Sequence, residues 1–149
     1  MNKRVLSLLV ENTTGVLSRV AGLFTRRGYN IDSITAGVTA DPRFTRITVV
    51  VRGDDNILDQ IEKQLGKLED VIAIKELKDD ASVCRELAMI KVEVSEENRQ
   101  GVIAIANIYR AKIVDVDNDS MIIELLGSTN KIDAFINLLN GYKILELAR

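Results

Sequence analysis

Asn12, Thr13, Thr14 and Gly15 stand between an apolar run, Val5 to Val10, and a stretch of helical period. Their amide and hydroxyl groups can satisfy the N–H donors that a helix start leaves unpaired, and Thr14 is the expected cap. A helix start opened by a glycine also presents free N–H groups and the positive end of the macrodipole, which together favour a carboxylate or a phosphate. Leu17, Val20, Ala21 and Phe24 recur at helical spacing and predict a core face, while Arg19, Thr25 and Arg26 fall elsewhere. Gly28 is the expected stop, and Tyr29-Asn30-Ile31 starts the next extended segment. On residue types alone, an ordinary capped helix between two strands is the competing reading.

The inventory of reactive groups narrows the chemistry further. There is no histidine among the 149 residues. That removes the commonest general base near neutral pH, the Ser-His and Cys-His nucleophile pairs, and the commonest zinc ligand. Carboxylates remain, but Glu11, Asp32, Asp54, Asp55, Glu96 and Glu97 fall at expected loops or exposed ends, as a solvated surface would have them. Cys84 is the single cysteine, so no disulfide forms within the chain, and a packed or idle thiol is expected. The expectation is a chain that is not a catalyst and holds no metal. Charged residues make up 28% with both signs mixed, the net charge is -2, and neither nucleic acid nor an anionic membrane is favoured as a partner. No run approaches the ~20 apolar residues of a membrane span. The start MNKRVLSLLVEN turns polar too soon for a secretory signal, so a cytoplasmic location is expected.

The elements that must position the Asn12–Gly15 loop follow from periodicity. Lys3 to Val10 is of strand length and the helix Val16 to Arg27 follows it. Ile34, Ala36 and Val38 alternate with Ser33, Thr35 and Gly37, which predicts a half-buried strand. After the turn Ala40-Asp41-Pro42-Arg43, the alternation of Thr45, Ile47, Val49 and Val51 completes a hairpin. Gly53-Asp54-Asp55 offers a cap for a helix carrying Ile57, Leu58, Ile61, Leu65 and Leu68, and Val71 to Leu77 is a fourth strand.

The order β-α-β-β-α-β is the split βαβ arrangement, with four antiparallel strands and two helices on one face. Residues 79–83 form a polar joint, and 84–149 repeat the order of elements seen in 1–78. Locally, RGDDNILDQIEKQL set over LGSTNKIDAFINLL pairs Gly53 with Gly127, Asn56 with Asn130, Asp59 with Asp133 and Leu65 with Leu139. The fold class is α+β, two ferredoxin-like modules. Each is near the size at which one core is marginal, and each leaves sheet edges open, so a homodimer is expected.

A βαββαβ module with a glycine opening its first helix and Asn30-Ile31 after its glycine stop is similar to the ACT domain, a family that binds small effectors, usually amino acids. More narrowly, ENTTGVLSRVAGLFTRRGYNIDSIT, DPRFTRITV, DQIEKQLGKLEDV and KIDAF resemble the small regulatory subunits of acetolactate synthase, nearly end to end. That resemblance implies a non-catalytic chain that activates a large catalytic subunit and confers feedback inhibition by a branched-chain amino acid. Thiamine diphosphate, magnesium and FAD would belong to the large subunit, and none to this chain. Many ACT domains carry proline where Thr14 stands, and the family usually continues for a short tail past the position of Arg149.

The residues fit such a role. Between two first modules of a dimer, the N–H groups at Gly15, Val16 and Leu17 of one copy suit an amino acid's carboxylate, and the carbonyls of Asn12 and of Asn30 from the other copy, beside its Ile31, suit the ammonium. An apolar wall including Val16, Leu17 and Ile31 would favour valine, leucine or isoleucine, since burying such a side chain is worth ~1.5 to 3 kcal/mol. Three competing readings stand beside this one. An acylphosphatase-like enzyme would need an arginine in the first strand–helix loop, and Asn12 to Gly15 contains none. An RNA-binding sheet would need stacked aromatics, and the chain has three Phe and three Tyr with no central pair. A stand-alone ACT amino-acid sensor acting on another enzyme is the third.

Overall fold

The fold, obtained as a computed structural model, describes residues 2–149. The chain forms two compact units, Met1–Ser82 and Val83–Arg149. In the first, β1 (Asn2–Glu11), α1 (Val16–Arg27), β2 (Ile31–Val38), β3 (Phe44–Gly53), α2 (Asp55–Leu65) and β4 (Val71–Glu76) make a sheet of order β2-β3-β1-β4. The second repeats it with β5 (Glu86–Glu93), α3 (Arg99–Ile108), β6 (Lys112–Val116), β7 (Ser120–Gly127), α4 (Thr129–Leu138) and β8 (Ile144–Ala148), in the order β6-β7-β5-β8. Every strand pair is antiparallel.

Alternation on the central strands builds each core. Leu6, Leu8 and Val10 of β1 and Ile47, Val49 and Val51 of β3 face the helices, where Val20, Phe24, Leu58, Ile61 and Leu65 close over them. In the second unit Ala88, Ile90 and Val92 meet Met121, Ile123 and Leu125 under Val102, Ala106, Ile132 and Phe135. There the Tyr109 and Phe135 rings meet edge to face with centroids 5.2 Å apart.

The aligned repeat has structural counterparts. Gly53 and Gly127 end equivalent strands, and Asp54 and Ser128 then cap α2 and α4 through Ile57 N and Lys131 N. Asp59 and Asp133 each bind an arginine, Arg4 at 2.8 Å and Arg149 at 2.6 Å. Leu65 and Leu139 are both fully buried.

Two expectations are corrected. The buried positions of α1 are Val16, Val20, Leu23 and Phe24, the i, i+4, i+7, i+8 stripe, which leaves Leu17 a hundred degrees away and 49% exposed. Ile34, Ala36 and Val38 do lie opposite Val49, Ile47 and Thr45, hence on the helix-bearing face. They are nevertheless exposed, Val38 to 61%, because β2 is the edge strand and the helices stop short of it. Cys84, expected to be packed or idle, is exposed, in the irregular stretch between β4 and β5. No helix of the described residues is long and apolar enough to cross a membrane.

The Asp54 cap gives a direct test of how α2 is secured. Asp54→Ala removes the acceptor for Ile57 N–H and should lower stability by about 1 kcal/mol, with Asp54→Asn recovering most of it. Urea denaturation followed by circular dichroism reads both; equal stability of the Ala variant and the parent would contradict the cap.

Candidate functional site

The junction of β1 and α1 is made by Gly15, which takes the N-cap position with φ 84° and no side-chain cap. Thr14 therefore does not cap α1. A left-handed cap residue turns the chain into the helix without offering an oxygen to its donors, and glycine is the residue that adopts it without strain. The first helical bond is Arg19 N–H to Gly15 O at 2.9 Å, and Val16 N–H reaches Thr13 O only at 3.5 Å. Among the described residues, the N–H groups of Gly15, Leu17 and Ser18 have no partner within the chain. With no acidic residue in the first turn, this end of α1 keeps its positive character.

The loop is pinned on both sides. Asn12 Nδ2 donates to Pro42 O at 2.9 Å, Asn12 Oδ1 accepts from Thr45 Oγ1 at 3.1 Å, and Asn12 N–H bonds Arg43 O at 2.8 Å. Asn12 thus fastens the end of β1 to the β2–β3 turn and keeps one lone pair of its carbonyl for a ligand. Within that turn Arg43 hydrogen-bonds Asp41 at 2.6 Å and holds its carboxyl below the usual carboxylate range. On the opposite side, Arg19 pairs with Asp70 just before β4 at 2.5 Å, and this bond raises the guanidinium's pKa further.

Beside the loop lies a cleft of about 270 Å³ between the start of α1 and β2, lined by Asn12, Thr13, Val16, Leu17, Val38 and Thr45 among others. Its floor is apolar and its rim carries the loop amides, as a small amphoteric ligand requires. Of the residues expected to form the site, Asn12, Val16 and Leu17 line this cleft, whereas Gly15, next to Val16 in the chain, does not. Asn30 and Ile31, expected from the second copy of a dimer, do not line it. Ile31 pairs with Val51 while Val38 pairs with Thr45, so the two groups sit at opposite ends of an eight-residue strand, about 23 Å apart at ~3.3 Å per residue. Asn30 is exposed, and Ile31 is half-buried against the core.

Sequence reading missed the contribution of Ala36, Gly37 and Val38 to the cleft, because alternation cannot show that β2 is an uncovered edge. A larger groove of about 540 Å³ runs between α2 and β4, but Arg4 already engages its carboxylates Asp59 and Glu62 at 2.8 and 3.4 Å. Among the described residues no group of three or more Cys, Asp or Glu is placed to hold a metal ion.

The second unit lacks the left-handed junction. Helix α3 is preceded by Asn98 at φ -103°, whose Oδ1 accepts from Ser95 N at 2.6 Å, and Arg99 extends to Asn118 O at 2.9 Å. At this junction Asn98 and Arg99 thus bond groups of the chain itself.

Two βαββαβ modules, each a four-stranded antiparallel sheet of the same strand order, are the architecture of paired ACT-type domains. Comparison with known proteins specifies it. A family model described as AHAS small subunit-like ACT domain matches residues 6–73, and one described as small subunit of acetolactate synthase matches residues 85–149. The probable acetolactate synthase small subunit of Methanothermobacter thermautotrophicus is 51% identical over 146 residues, 97% of this chain and 87% of that one. The isozyme 3 small subunit of Escherichia coli is 44% identical, over 99% of this chain and 91% of its own. The crystal structure of the Thermotoga maritima acetolactate synthase small subunit superposes with a TM-score of 0.90 at 41% identity, covering 99% of this chain and 92% of that one. The chain belongs to the acetolactate synthase small-subunit family and is a regulatory, non-catalytic subunit.

The Asn12 anchor predicts a local effect. Asn12→Ala loses two side-chain hydrogen bonds and should cost on the order of 1 to 2 kcal/mol, with faster amide exchange at Phe44 and Thr45. Hydrogen-exchange mass spectrometry reads this; unchanged protection of the 42–45 turn would show that Asn12 does not hold it.

Proposed function

We propose that this chain activates a thiamine diphosphate-dependent large subunit of acetolactate synthase and makes it sensitive to valine or a close branched-chain relative. The effector is bound between the first modules of two copies. In this reading magnesium and FAD, like thiamine diphosphate, belong to the large subunit. The observation that carries the site is the placement of the two residue groups at opposite ends of an exposed edge strand. Antiparallel pairing of two β2 edges about a twofold axis would bring Asn30 and Ile31 of one copy to the Asn12–Leu17 cleft of the other.

Such pairing would also cover Ile34, Val38 and Leu17, the apolar groups that one chain leaves open. The ligand's carboxylate would meet the N–H groups at Gly15 and Leu17, its ammonium the asparagine carbonyls, and its isopropyl group the apolar floor, worth ~1.5 to 3 kcal/mol. Discrimination among valine, leucine and isoleucine would be modest, because one methylene is worth only ~1 to 3 kcal/mol. The second module, which lacks the left-handed glycine junction, would take part in adjusting the large subunit rather than in sensing.

Reconstitution tests the reading. The chain alone should turn over no pyruvate, should raise the rate of the large subunit when mixed with it, and should confer inhibition by valine. Gly15→Asp should abolish valine binding by calorimetry, since it adds a carboxylate and a side chain where the backbone must stay open. Asn30→Ala should weaken it by ~1 to 3 kcal/mol. Sedimentation and circular dichroism establish that both variants remain folded and dimeric. Normal valine binding by folded Gly15→Asp would overturn the site, and an unchanged large-subunit rate would overturn the activating role.

A further inference from the structure

Arg19 is placed against electrostatic preference. It sits at the end of the first turn of α1, and a helical side chain leans toward the N-terminus, so its charge lies near the positive end of the macrodipole. Its fork is turned away from the cleft. Nε and Nη2 bind the two oxygens of Asp70 at 2.5 and 3.1 Å, and Nη2 also approaches Thr14 O at 3.4 Å. Asp70 is itself fixed to β1 by its backbone oxygen, which accepts Glu11 N–H at 3.0 Å. The Asp70 side chain is only 17% exposed, against 49% for Arg19. The guanidinium also covers Gly15 from behind: a Cβ there would come within 3.0 Å of Arg19 Nη1. Arg19 does not line the cleft.

We infer that Arg19, clamped by Asp70, is the positioning residue of the effector loop. It holds the Thr14 carbonyl and the left-handed Gly15 in place, so that the free N–H groups at the start of α1 face the carboxylate of an amino acid in the cleft. This rests on the effector reading above and adds a residue that touches no ligand. A bidentate arginine–carboxylate pair suits the task because its two parallel bonds fix orientation as well as distance, which a lysine's point charge does not.

The test is calorimetric titration of valine into the full-length chain carrying Arg19→Ala, Arg19→Lys, Asp70→Asn, or Arg19→Ala with Asp70→Asn, beside Gly15→Asp. Each of Arg19→Ala and Asp70→Asn should raise the Kd for valine about tenfold. The double variant should be no worse than either single one, because the two residues act as one pair. Arg19→Lys should recover part of the loss, while sedimentation and circular dichroism stay as in the parent. Unchanged affinity in Arg19→Ala, or additive losses in the double variant, would overturn the inference. Should Arg19→Ala not fold, Asp70→Asn and Arg19→Lys carry the comparison: parental affinity in Asp70→Asn would overturn it. If Gly15→Asp abolishes valine binding while Arg19→Ala binds normally, only the role of Arg19 fails. If folded Gly15→Asp binds valine normally, the effector site itself is misplaced.

Discussion

At Gly15 the chain leaves the centre of a sheet and enters a helix through a left-handed backbone, φ 84°, and much of the first unit's character follows from that turn. It sets the helical register that sends Val16 into the core and Leu17 outward to the cleft. It also removes any side-chain oxygen from the cap position, so the first donors of α1 stay unpaired. A right-handed or side-chain-capped start would satisfy those donors internally and would leave less for a ligand. The cost of leaving them open is contained by neighbours that are well tied, Asn12 to the β2–β3 turn and Arg19 to Asp70.

The second consequence comes from strand order. With β2 at the edge, an apolar row that belongs to the core face has no helix above it. Exposed apolar rows and unpaired strand edges favour association, and here the same edge borders the open loop. In the proposed role, ligand and association would share one surface. An effector that binds one arrangement of that surface more tightly than another can shift an equilibrium, whereas equal affinity for both would change nothing.

The two modules share one scaffold and differ in their loops. The caps at Asp54 and Ser128, the arginine-bound Asp59 and Asp133, and the buried Leu65 and Leu139 are shared. The β–α junctions are not: Gly15 is open, while Asn98 and Arg99 satisfy groups of their own chain. The scaffold is held by burial and caps, and in the proposed role binding would rest on the one backbone conformation at Gly15.

Much of this was legible in the residues themselves. Period-two alternation located the β2–β3 hairpin, helical spacing found α1 and α2, the repeated order of elements extended this to residues 84–149, and the absence of histidine turned attention from catalysis to binding. The Asn-Thr-Thr-Gly loop was recognisable because glycine and capping residues report local backbone needs. What the sequence could not settle were the properties that depend on distant neighbours. Whether Ile34 and Val38 are covered depends on which strand is outermost. Whether Thr14 or Gly15 is the cap depends on the direction in which β1 delivers the chain. Arg19 read as a surface residue because its partner, Asp70, is fifty-one positions away. Local periodicity records the face a residue turns to, and only the packed sheet decides what stands opposite that face.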